Sequence, residues 1–119
     1  HGLSYTDFDV SDLRLDRDAL RLDETLTVTA KVTNTGAREG DKIVELFVSD
    51  LFASLTPASR KLRGFARVSL PPGASTTVSF KLDADDLSFV NAALERVVEP
   101  GEFRVAIDDL TANFDFVDE

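Results

Sequence analysis

Cysteine, methionine and tryptophan are absent from this 119-residue sequence, and histidine occurs once, at position 1. Without cysteine the chain can form no disulfide framework, no thiolate zinc site and no Cys–His nucleophile. A lone histidine likewise excludes a His-rich metal site and most Ser–His arrangements. Flat aromatic rings usually form the platforms that stack on sugars, so the lack of Trp and the single Tyr disfavour carbohydrate binding by this chain itself.

Long apolar runs are also missing. No stretch approaches the roughly 20 apolar residues that a membrane-spanning helix needs, and the opening HGLSYTDFDV lacks the pattern of a signal peptide. The formal net charge is −9. Because that charge repels phosphate backbones and anionic lipids, we expect neither nucleic acid nor membrane surfaces as partners. The acids are dispersed, which is typical of a solvated surface, and the cellular compartment stays open.

Residues 26–50 contain the pattern around which the rest of the chain is organised. Apolar and polar residues alternate strictly from Leu26 to Thr33, as in a strand with one buried and one wet face. Asn34-Thr35-Gly36 interrupts the alternation, and Asn and Gly tolerate the positive φ that turns need. We therefore predict a strand followed by a polar connection that leads into a second strand.

The second strand has apolar residues on both faces. Its inward positions are predicted to be Val44, Leu46 and Val48, while Ile43 and Phe47 point the other way with Glu45 between them. Two such strands cannot close a core alone, so the rest of the chain must supply a second sheet.

Further strand patterns recur at short intervals, separated by turn signals such as Pro71-Pro72-Gly73, Pro100-Gly101 and Asp108-Asp109. Between Val10 and Leu13 the apolar positions switch parity, which suggests a bulge or an edge-strand kink. Gly64 marks a second bulge or a close backbone approach. About eight short strands with almost no helix predict an all-β antiparallel sandwich of immunoglobulin or fibronectin type III kind, with most of the nine Phe residues in its core.

No combination of residues predicts catalysis. Glycoside hydrolysis needs two carboxyl groups that converge across a cleft roughly 5–10 Å wide, whereas the acids here fall in turns and on wet strand faces. The run Asp83-Ala84-Asp85-Asp86 is interpreted as a helical turn with Asp83 as its N-cap. Calcium is the weaker alternative, because the Gly-containing spacing of a calcium loop is absent. We expect no metal and no cofactor.

Two apolar segments are candidates for an interdomain interface. Leu3, Tyr5 and Phe8 lie at the start of the chain, where exposed apolar residues are unusual unless they pack on something. Leu51, Phe52 and Leu55 lie in a segment that Pro57 keeps from forming a central strand. The alternative is that the first segment covers the edge of the domain's own core and the second folds over one end of the sandwich.

Several motifs together resemble a known module. These are HGLSYTDFDVSDLRL at the start, VTNTGAREGDKIVELFVSD, RKLRGFARVSLPPGASTTVSFKLDADDLSF, and VVEPGEFRVAI near the end. They resemble, in the same order and over nearly the whole chain, the C-terminal fibronectin type III-like domain of glycoside hydrolase family 3 enzymes, chiefly β-glucosidases and β-xylosidases. The segments in which this chain departs from the family pattern are loops, namely LFASLTPASRKL, NAALER and DDL.

The resemblance implies that residues 1–7 are a junction from a preceding domain and that residues 8–119 form the fibronectin type III-like domain. In that family the nucleophilic Asp lies in an N-terminal barrel and the acid/base usually in the following α/β domain. Ser11-Asp12-Leu13 is similar to the family's Ser-Asp-Trp motif but lacks the Trp, so no catalytic role is transferred. The implied role is a non-catalytic accessory domain whose partners are the catalytic domains of the same polypeptide, with homo-oligomerisation through the parent open.

A free-standing fibronectin-like binding or adhesion module is the alternative. It requires a self-contained N-terminus and an exposed aromatic or charged patch for a ligand. The parent enzyme of the first hypothesis would remove terminal β-D-glucosyl or xylosyl residues, and the sequence of this chain leaves that sugar open.

Overall fold

A computed structural model describes residues 7–51, 61–87, 89–90, 94, 96–98 and 100–117. Ten strands and one short 3₁₀ helix account for most of them, with little irregular chain between. In chain order the elements are β1 Phe8–Leu15, β2 Ala19–Arg21, β3 Leu26–Asn34, β4 Gly40–Asp50, β5 Lys61–Leu70, β6 Ser75–Leu82, the 3₁₀ helix Ala84–Leu87, β7 Phe89–Val90, β8 Arg96–Val97, β9 Gly101–Ile107 and β10 Leu110–Val117.

The strands form two main sheets and a small hairpin. One sheet has three strands in the order β1-β3-β6, the other has five in the order β2-β10-β9-β4-β5, and β7 pairs with β8. This is the fibronectin-like sandwich that the sequence predicts. One detail differs, because β2 pairs parallel with β10 while the other pairs are antiparallel. In each main sheet, the apolar residues of the alternating strands face the other sheet.

A single apolar core lies between the two sheets. From the three-stranded sheet it receives alternate residues of β3 and β6, and from the five-stranded sheet alternate residues of β4, β9 and β10. Its largest fully buried members include Phe103, Phe116, Leu46 and Leu82. Phe103 and Phe114, paired across β9 and β10, stack with ring centroids 5.7 Å apart. The inward positions predicted for residues 44–48 are confirmed, since Val44, Leu46 and Val48 are all buried.

Both predicted irregularities are present. The β1–β3 register shifts between Ser11 and Arg14, and Asp12 takes a φ of 55° at this edge of the three-stranded sheet. The β4–β5 register shifts between Leu46 and Phe47, opposite Gly64. A Cβ atom placed on Gly64 would lie 2.9 Å from Cδ1 of Phe80 in the other sheet. Gly64 thus marks both a bulge and a close approach between the sheets.

The connection after β3 has a different basis from the one expected. Neither Asn34 nor Gly36 has a positive φ, so the turn-residue argument is wrong there. Asn34 is instead fully buried, and its Nδ2 donates to the carbonyls of Arg38 (2.7 Å) and Leu70 (2.9 Å). Its Oδ1 accepts from the Gly36 N–H at 2.9 Å. The side chain therefore organises the connection from within the fold.

The acidic run after β6 caps the 3₁₀ helix as predicted. The Asp86 N–H donates to Asp83 Oδ1 at 3.2 Å, and the Asp83 N–H donates to Asp86 Oδ2 at 3.0 Å. This reciprocal arrangement gives the Asp83 N–H an acceptor, and it adds a second acceptor for the Asp86 N–H, which also donates to the Asp83 carbonyl at 3.1 Å. The part of the chain that the structure describes contains no helix long and apolar enough to cross a membrane.

Candidate interdomain surface

Two surface carboxylates, Asp41 and Glu24, are held in ion pairs and hydrogen bonds. Asp41 on β4 accepts hydrogen bonds from Arg67 Nε (3.1 Å) and the Ser69 hydroxyl (2.7 Å) on β5. The Arg67 guanidinium, followed by Ser69, lowers the pKa of Asp41. Glu24 accepts from Arg17 Nη1 at 2.8 Å, and that contact lowers the pKa of Glu24. Such acids stay ionised, which does not fit them for proton donation.

One carboxyl has the opposite shift. Partial burial, together with the nearby charge of Asp83, raises the pKa of Asp86, although hydrogen bonding from the Asp83 backbone opposes the shift. A raised pKa is one mark of a general acid. Here the carboxyl is engaged in capping the 3₁₀ helix, and Arg63 Nε donates to the Asp86 carbonyl at 2.7 Å. These contacts give Asp86 a structural role.

An open polar groove of about 220 Å³ lies beside β2, β9 and β10. Its lining residues are Asp18, Ala19, Glu102, Asn113, Phe114 and Asp115. Asn113 links two of its neighbours, donating to Glu102 Oε2 at 2.8 Å and accepting from Arg104 Nε at 2.9 Å. Across the described ranges no three His, Asp or Glu side chains are grouped so that they could hold a metal ion. The groove offers neither a nucleophile–base pair nor a metal site.

The six residues proposed from the sequence as an interdomain interface are only partly described. Leu3, Tyr5, Phe52 and Leu55 lie outside the described residues. Phe8 opens β1, is half-buried and packs against the core. Leu51 follows directly after β4, is half-buried, and its N–H donates to the Glu102 carbonyl at 3.0 Å. Their role at an interface stays a prediction, as does the domain boundary at residue 8.

Phe8 and Leu51 lie at opposite ends of the sandwich. Phe8 pairs with Asn34, whose side chain bonds Leu70, and Leu70 pairs with Gly40 at the start of β4. Leu51 follows the end of the same strand. At about 3.3 Å per residue, the eleven residues of β4 separate the two ends by roughly 35 Å. An interface that includes both must extend along the length of the sandwich.

Sequence reasoning missed one exposed aromatic. Phe65 on β5 is 68% exposed, together with Ile43 at 49% and Leu62 at 46% on the same pair of strands. Phe65 is therefore an exception to the prediction that most Phe residues lie in the core. Its place in the alternation with Arg67 and Ser69, both exposed, was the signal that could have identified it.

Comparison with known proteins points to one family. The protein-family model of the fibronectin type III-like domain matches residues 42–110 of this chain. A β-xylosidase of Formosa agariphila is 43% identical over 106 residues, which are 89% of this chain and 15% of that protein. The periplasmic β-glucosidase of Salmonella typhimurium is 40% identical over 90% of this chain and 14% of its own length. The chain thus spans about a seventh of the length of these curated relatives.

Solved structures give the same picture. A β-glucosidase from Erythrobacter marinus matches with a TM-score of 0.88 at 34% identity, over 98% of this chain and 16% of that one. The β-glucosidase from Listeria innocua in complex with isofagomine matches with a TM-score of 0.87 at 29% identity, over 100% and 17%. In each case the whole of this fold corresponds to a small part of a much larger protein.

Proposed function

Because the chain belongs to the fibronectin type III-like domain family, in the form carried by family 3 β-glucosidases and β-xylosidases, we propose that it serves as the non-catalytic C-terminal accessory domain of such a glycosidase. The longer polypeptide cleaves terminal β-D-glucosyl or xylosyl residues from the non-reducing end. This domain supports the catalytic domains by packing against them.

The observation that carries this proposal is the mismatch in size. Relatives that match about 90% of this chain use only 14–15% of their own length to do so. The carboxylates of Asp41, Asp86 and Glu102 are engaged in an ion pair, a helix cap and a solvated network, so none of the three is free to act with a second carboxylate across a cleft. Both facts favour chemistry that resides elsewhere in a larger chain.

The interface of this accessory domain includes the two apolar segments identified in the sequence, with Leu3, Tyr5 and Phe8 in one and Leu51, Phe52 and Leu55 in the other. The half-buried positions of Phe8 and Leu51 leave part of each residue free for a neighbouring domain. Interdomain interfaces within one chain are typically modest in area, about 600–1,500 Å², so a few apolar residues at each end are sufficient.

The test begins with the gene that encodes this chain. We expect the encoded polypeptide to continue upstream of His1 into a barrel and an α/β domain. We also expect the full polypeptide to hydrolyse a chromogenic β-glucoside or β-xyloside, while the 119-residue chain alone shows no turnover. Unrelated fibronectin repeats upstream, with no hydrolysis by the full product, would overturn the proposal in favour of a binding or adhesion module.

A further inference from the structure

The outer face of β4 and β5 carries an apolar patch that no other described element covers. Of the five large apolar side chains exposed among the described residues, three belong to it, namely Ile43, Leu62 and Phe65. The β4–β5 register pairs Glu45 with Phe65 and Phe47 with Leu62. Residues two apart on a strand share a face, so Ile43 and Phe47 flank Phe65 diagonally. We name these four residues and Glu45 the β4–β5 patch.

The register explains why the patch faces outward. Ala66, Val68 and Leu70 turn toward the core, so Phe65, Arg67 and Ser69 must turn away from it. The bulge opposite Leu46 adds one residue to β5 and brings Leu62 to the outer side as the partner of Phe47. Isolated exposed apolar residues are ordinary on a protein surface, whereas a contiguous apolar patch of a few hundred Å² is often functional.

The other half of the same sheet face is polar. On β9 and β10 the Glu102–Asn113–Arg104 hydrogen-bonded network occupies the outward positions. The patch is therefore confined to the edge pair of strands. The free edge of β5 is a poor template for an added strand, because its bulge and Lys61 and Arg67 interrupt strand pairing. Contact through the face of the strands is favoured over addition of a strand at the edge.

The area of the patch favours a domain of the same polypeptide over a second copy of the chain as its binding partner. Three side chains that are about half exposed offer on the order of 300 Å². A stable complex between separate molecules buries roughly 800 Å² on each partner, so the patch alone supplies less than half of the area that a second copy of the chain needs. A domain on the same polypeptide needs less, because a short linker supplies an effective concentration in the millimolar range.

We propose that the β4–β5 patch is the surface on which a catalytic domain of the same polypeptide packs. The surface of the catalytic domain that contacts the patch is apolar, and it places a basic side chain against Glu45. Glu45 makes no ion pair among the described residues. The patch lies along the middle of β4, whose end leads into Leu51, so it extends the Leu51 side of the proposed interface. Phe8 lies on β1 of the other sheet. This inference rests on the proposed function and assigns its contact to one face of the sandwich.

Thiol labelling tests it, since the chain contains no cysteine of its own. Phe65→Cys places a thiol in the patch, and Ser79→Cys places one at an exposed position of β6 in the opposite sheet. Each variant is prepared both as the 119-residue chain and within the full encoded polypeptide. The labelling rate of each position is read by peptide mass spectrometry, and urea unfolding of the short chain checks that each variant is folded.

We expect position 65 to react at least 10-fold more slowly in the full polypeptide than in the short chain, while position 79 reacts at similar rates in both. Equal rates at position 65 in a polypeptide that is an active glycosidase would overturn the patch assignment and leave the proposed function intact. Protection at position 79 instead of 65 would overturn it in favour of the other sheet. Protection in the short chain that rises with protein concentration would overturn it in favour of a second copy. Hydrolytic activity is assayed separately, so failure of the proposed function is distinguishable.

Discussion

Replacement of Asn34 by Ala tests whether one buried amide holds the end of the sandwich together. The side chain is fully buried and joins two parts of the chain: its own connection, through Gly36 and Arg38, and the end of β5, through Leu70. Its backbone adds to the same junction, since the Asn34 N–H donates to the Ala74 carbonyl at 2.9 Å. Ala removes the side-chain contacts and leaves the backbone ones in place.

The size of the effect follows from burial. Each of three side-chain hydrogen bonds contributes about 1 kcal/mol net, and the buried Leu70 carbonyl that loses its donor adds roughly 1 kcal/mol more. We expect Asn34→Ala to lower the free energy of unfolding by about 4 kcal/mol. For a domain of this size that loss corresponds to a decrease in Tm of about 15 °C.

Asn113 provides the matched control. It is also an asparagine with two side-chain hydrogen bonds, to Arg104 and Glu102, but it is exposed on the outer face of the five-stranded sheet. Water replaces those bonds when the side chain is removed, so Asn113→Ala is expected to cost no more than about 0.5 kcal/mol. Urea unfolding followed by circular dichroism measures both variants, with the denaturant slope as the check on two-state behaviour.

A loss for Asn34→Ala within about 1 kcal/mol of the Asn113→Ala value would refute the reasoning, since burial would then add nothing to the bonds. Asn34→Asp provides a second measurement. Its ionised carboxylate would face the carbonyls of Arg38 and Leu70, so the pKa of Asp at this position rises in the folded state. The variant should therefore be more stable, relative to the parent chain, at pH 3 than at pH 7.

Three further predictions concern other contacts. Gly64→Ala should cost about 2 kcal/mol in urea unfolding, because the new methyl group meets Phe80 at 2.9 Å, and adding Phe80→Leu should recover part of that loss. Gly73→Ala should cost about 1 kcal/mol through its φ of 77° alone, with no recovery from the change at Phe80, since nothing lies within 4 Å of its added Cβ. Asp41 has a lowered pKa in the fold because of Arg67, so its contribution to stability is present above the ordinary Asp pKa and is lost as the pH falls below it. The stability difference between the parent chain and Asp41→Asn should accordingly shrink as the pH falls below the ordinary Asp pKa of 3.8, and a constant difference would contradict the assignment.

Features that depend on nearby residues were predictable from the sequence. The parity switch after Val10 and the glycine at position 64 each indicated a bulge, and both bulges are present. Asp83 was predictable as a cap because the acceptor and the N–H groups it serves lie within three residues. In each case the cause and its effect are close in sequence, so the local pattern contains the whole interaction.

Asn34 shows where such reasoning stops. The type of residue and its place after a strand favoured a turn with positive φ, and that conformation is absent. One actual partner, the Leu70 carbonyl, lies 36 positions away and is near because β3 pairs with β6 and β4 pairs with β5. A long-range hydrogen bond of this kind depends on the register of strands, which local propensity does not determine.

The position of Phe65 follows from the same distinction between residue type and register. Counting Phe as a core residue relies on a one-way rule, because interiors are apolar but much of a protein surface is apolar as well. Strict alternation back from the buried Leu70 already assigns Phe65 to the outer face. Alternation alone does not predict which residues lie beside Phe65. Ile43 and Leu62 become its neighbours only through the β4–β5 pairing and the bulge. A single exposed ring therefore becomes a candidate surface only when the strand register is known, and the labelling of position 65 asks whether the larger polypeptide covers it.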